Sequence, residues 1–87
     1  MSEHEILKLN HPVILADGKM LDQLKVRRPT VGDILDLPPD GGDVILRSAR
    51  LAARLCGLNI EDLRLLDLQD FDALDDMVAR FRKPVQG

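Results

Sequence analysis

With 87 residues, the chain has room for one domain around one small core, and a domain of this size buries about 60–65% of the surface that its unfolded form exposes. Its 45% apolar and 31% charged residues are globular in proportion, but two phenylalanines without tryptophan or tyrosine demand an aliphatic core and remove the stacking platforms of single-strand nucleic-acid binders. A net charge of -3 argues against a broadly basic surface, lone Cys56 rules out an internal disulfide, and no apolar run reaches the ~18 residues of a membrane span, so a cytosolic protein is expected.

Met1-Ser2-Glu3-His4-Glu5 reads as a frayed end with no secretory leader. Around Asp17-Gly18 the pattern from Ile6 to Arg28 is that of a β-hairpin, because Asp-Gly suits a two-residue turn in which both central positions take positive φ. Such a turn pairs Leu15 with Met20, Val13 with Asp22, Leu9 with Val26 and Leu7 with Arg28. One face then gathers Leu7, Leu9, Val13, Leu15, Met20, Leu24 and Val26, and the other is polar apart from Ile14 and Leu21. Pro12 has no N–H for a ladder and belongs at an outward edge or a break.

A two-stranded hairpin is marginal in water, so its apolar face needs a cover, which the remaining chain supplies as helices. The segment 30–37 reads as a short helix opened by Thr30 with Asp33 three residues on and ended by Pro38-Pro39; Asp40-Gly41-Gly42 is a joint. The segment 43–56 is a longer helix capped by Asp43 and stopped by Gly57, with Arg47, Arg50 and Arg54 as a ridge beside a wide apolar arc. A short helix over 60–66 follows Asn59, and a last one over 68–82, after the cap Asp67, ends before Pro84. In the last helix Leu68, Phe71, Leu74, Val78 and Phe81 form a stripe, while Asp70, Asp72, Asp76 and Arg80 point away. The expected fold is α+β, one domain over 1–87, with an N-terminal hairpin packed on a small bundle of three to four helices.

The residue types for chemistry are sparse. His4, His11 and Cys56 have no zinc-ligand spacing, Ser2 and Ser48 have no neighbouring base, the carboxylates lack the EF-hand pattern, and there is no glycine-rich phosphate loop. No metal, cofactor or catalytic residue is therefore expected, and the chain reads as a non-enzyme. Cys56 is read as a small apolar residue at a helix end. The arginine ridge has three readings: a solvated face, a contact for phosphate or an acidic protein, or pairing with the acids of the 61–76 region.

Taken in order, Pro12-Val13-Ile14-Leu15-Ala16-Asp17-Gly18-Lys19 and Leu24-Lys25-Val26-Arg27-Arg28-Pro29-Thr30-Val31-Gly32-Asp33 resemble the opening of phage tail assembly chaperones. Leu51-Ala52-Ala53-Arg54-Leu55-Cys56-Gly57-Leu58 and Leu66-Asp67-Leu68-Gln69-Asp70-Phe71 resemble their helical half, so that the likeness spans about residues 6–81. The resemblance implies a phage or prophage protein that binds the tape-measure protein in the host cytoplasm until tail-tube subunits polymerise around it, and that is absent from the mature virion. The tail-tube protein is a second candidate partner. Such a protein needs an exposed apolar stripe with a polar rim, and the candidates are Leu51, Leu55, Leu58, Phe71 and Phe81, rimmed by Arg47, Arg50 and Arg54. Two alternatives stand beside it: a nucleic-acid-associated regulator using the Arg47/Arg50/Arg54 ridge, and a self-associating phage structural protein.

Overall fold

The computed structural model describes residues 4–83. Two antiparallel strands, β1 (His4–Ile14) and β2 (Met20–Arg27), precede four helices: α1 (Val31–Leu35), α2 (Val44–Cys56), α3 (Ile60–Leu63) and α4 (Leu68–Phe81). This is an α+β hairpin-and-helices fold. His4 and Glu5, read above as part of a frayed end, belong to β1; Met1, Ser2 and Glu3, and the Pro84 stop signal, lie outside the described residues.

The hairpin turn differs from the expected one. The Gly18 N–H donates to the Leu15 carbonyl, and the Leu15 N–H donates to Lys19, closing a three-residue loop in which Gly18 alone has positive φ, at 87°. Asp17 instead uses its side chain to accept from the Lys19 N–H. Val13 therefore faces Leu21 and Ile14 faces Met20, a slip of one residue from the two-residue-turn register. Because side chains alternate, the slip changes faces: Met20, assigned to the core, is exposed, and Leu21, assigned to the polar face, packs on the core.

Further from the turn the register shifts again, with Leu7 opposite Leu24 and Lys8 opposite Gln23. Leu9 to Pro12 on β1 stand opposite Asp22 alone, so Pro12 sits in an irregular stretch where its missing N–H costs no ladder bond. The N–H groups of Asn10 and His11 in this stretch are not left bare. Both donate at 2.9 Å to the carboxylate of Asp70 in the first turn of α4. Asp70, assigned to the outer face by helical spacing, is only 2% exposed, because binding two backbone donors satisfies a carboxylate that could not otherwise be buried.

The helix ends follow local chemistry. Asp43 accepts from the Leu46 N–H at the start of α2, Asn59 accepts from Asp62 at the start of α3, and Asp67 accepts from Gln69 at the start of α4. Gly57 ends α2 with φ 70°, while the Leu58 N–H reaches back to Ala53. The core joins Leu9, Leu24 and Val26 from the hairpin to Leu51, Ala52, Ala53 and Leu55 of α2, Leu63 of α3, and Leu74, Met77 and Val78 of α4. Met77 was not in the expected stripe of α4, whereas Leu68, which was, lies exposed at the first turn.

Candidate partner-binding surface

Helix α2 has a charged side and an apolar side, and the two are treated differently. On the charged side, the buried Asp33, 3% exposed, accepts five hydrogen bonds. Arg27 at the end of β2 gives two, at 2.7 and 2.5 Å, Thr30 gives its N–H and hydroxyl, and Arg54 gives Nε at 2.9 Å. The Arg27 guanidinium, then the Thr30 and Arg54 donors, hold this carboxyl well below the usual carboxylate range against the opposing cost of burial. One side chain thus ties β2, α1 and α2 together.

The rest of the ridge is also engaged. Arg54 Nη2 reaches Asp36 at 3.0 Å, Arg50 donates to the Pro39 carbonyl at 2.8 Å, and Arg47 Nε meets Asp40 at 2.6 Å. Arg47, followed by the Gly42 N–H, lowers the Asp40 pKa. The arginines pair with the 33–40 segment rather than with the 61–76 acids, since Gly41 and Gly42 fold that segment back along α2. They are clamps on their own chain, which reduces the positive charge on offer to phosphate.

The apolar side is left uncovered by the described residues. Ile45 and Ala49 of α2, Ile60, Leu63 and Arg64 around α3, and Leu66, Leu68 and Phe71 at the start of α4 line a groove of about 220 Å3. Ile45 and Leu68 are 77% and 71% exposed. They stand in the first turns of their helices, on the side turned away from the core.

Of the apolar candidates from the sequence, Phe71 lies in this groove. Leu51 and Leu55 are in the core at 6% and 2% exposure, behind the surface rather than on it. Leu58 lines a second depression, of about 410 Å3, beneath Arg50 and Arg54, and Phe81 lines a third with Val31 and Ile34, its ring under Arg28 at 5.8 Å. Sequence reasoning missed Ile45 and Leu68 as surface residues. Their signal was their place within two residues of the caps Asp43 and Asp67, where a helix has no preceding turn to shield them.

Burial pushes the Cys56 thiol up to about 11, so that it is held as the unreactive protonated form. His11 is exposed and meets Gln69 at 3.1 Å. Among the described residues no three His, Cys, Asp or Glu side chains gather as metal ligands, and no helix is long and apolar enough to cross a membrane.

Hairpin, clamp and groove together define a small α+β protein whose α2 arginines are paired within the chain and whose apolar side carries a groove. The chain belongs to the phage tail assembly chaperone proteins, described as E, or 41 or 14, whose family model matches residues 7–83. That match takes in the hairpin from Leu7 onward and all four helices, and it assigns the chain's partners to the proteins of tail assembly. No curated protein and no solved structure matches the chain.

Proposed function

We propose that this chaperone binds the tape-measure protein and keeps it soluble while the tail is assembled, acting without catalysis in the host cytoplasm and staying out of the finished virion. The observation that carries the reading is the uncovered groove between Ile45, Ala49, Leu66, Leu68 and Phe71 in a member of this family. A long helical protein awaiting its tube has apolar stripes to protect, and a shallow apolar groove covers such a stripe one segment at a time. In this reading Phe71, Ile45 and Leu68 touch the partner, Leu51 and Leu55 support the surface from behind, and Leu58 and Phe81 extend it. Arg47, Arg50 and Arg54 hold the 33–40 segment against the opposite side of α2.

Co-expression with the tape-measure protein of the same gene cluster tests this. The wild-type chain is expected to hold that protein in the soluble fraction and to co-purify with it. The Ile45→Asp/Leu68→Asp variant is expected to fold, since both positions are exposed, and to lose the complex. A tape-measure protein equally soluble with and without the chain would refute the reading.

A further inference from the structure

The charge around the groove is lopsided. Between Ile60 and Phe81 seven carboxylates stand against two arginines, a net charge of -5, while the rest of the chain sums to +2. The excess is not neutralised internally. Asp72 and Asp75 are exposed and take part in no ion pair or hydrogen bond among the described residues, in contrast to Asp33, Asp36 and Asp40 on the other side of the molecule. Helical spacing puts them beside the groove: Asp72 is four residues after Leu68, and Asp75 is four after Phe71. Across the groove, Arg64 of the α3 wall is the lining residue with a positive charge.

The groove therefore has an apolar floor, an acidic edge along α4 and a basic point at Arg64. We propose that its occupant is an amphipathic helix that carries lysine or arginine next to its apolar stripe, seated with those cations over Asp72 and Asp75. This rests on the reading of the groove as the partner site and specifies the partner's chemistry. A helix fits where an extended segment does not, because the walls are helices whose backbone groups are already paired. An extended segment would find no ladder there for its own N–H and C=O groups, whereas a helix satisfies them internally. The exposed acids give orientation and rate more than affinity, and their contribution falls with salt.

Two synthetic helical peptides with the same leucine stripe, one flanked by lysine and the other by glutamate, test the proposal by fluorescence anisotropy against the full chain. The lysine peptide is expected to bind about tenfold or more tightly than the glutamate peptide at low salt, and the gap is expected to narrow at high salt. Asp72→Asn/Asp75→Asn should remove most of the preference, while Glu5→Gln/Asp22→Asn, an equal charge change on the hairpin, should leave it intact. Ile45→Ser/Leu68→Ser should weaken both peptides. Equal affinities, no binding by either peptide, or a preference that survives Asp72→Asn/Asp75→Asn would overturn the proposal. A chain that retains the tape-measure protein yet binds both peptides alike sinks the charge inference only. A chain that prefers lysine yet leaves the tape-measure protein insoluble sinks the functional reading instead.

Discussion

The two sides of α2 solve opposite problems with the same helix. On one side Arg47, Arg50 and Arg54 meet Asp40, the Pro39 carbonyl, Asp33 and Asp36, so that strongly hydrated groups find their partners within the chain. On the other, Ile45 and Ala49 face a groove that none of the described residues fills. Residue class misleads here: the arginines, the most conspicuous candidates for contact with another molecule, are spent on internal structure, and the aliphatic first-turn residues are left open. What marks a binding surface in so small a protein is an unmet requirement, and the apolar side of α2 has one.

The clamp side is expected to respond to substitution through stability and the groove side through binding. The largest effect on the clamp comes from Asp33→Ala, which strands Arg27 and Arg54 and is expected to cost about 1–3 kcal/mol by urea denaturation, discounted because both arginines are partly solvated. Peptide affinity at the groove should change little. A loss of binding as large as that of the groove variants would show that the two sides are coupled.

Acid gives a graded version of the same test. The folded pKa of Asp33 lies below its unfolded value, so its contribution is complete above the ordinary carboxylate range and is lost as pH falls through and below it. The stability gap between wild type and Asp33→Asn should therefore shrink between about pH 5 and about pH 3. A gap that widens on acidification would contradict the pairing. The smallest effect is expected for Arg47→Ala, whose ion pair with Asp40 is solvent-exposed: the thermal midpoint should hardly move.

The α+β class and the placement of a hairpin before helices were legible in the sequence, because Asp-Gly, the capping residues Asp43, Asn59 and Asp67, and Gly57 act through bonds to residues a few positions away. The hairpin register was not. Asp-Gly is compatible with loops of two or three residues, and the second shift depends on Asp70, 60 positions from Asn10, capturing the backbone of the irregular stretch. Helical spacing sent Asp70 outward for the same reason: the spacing describes one helix and knows nothing of a strand laid across its end.

By itself the sequence determined the local elements, an aliphatic core and the order of motifs that the tail assembly chaperone family shares. The motif from Arg27 to Asp33 was visible as letters, but only the tertiary structure showed it as an arginine and a carboxylate closing on each other with Arg54 as a third member. Only the tertiary structure, too, decided which apolar residues stay exposed. Burial is a property of what lies opposite, and Ile45 and Leu68 have none of the described residues packed over them.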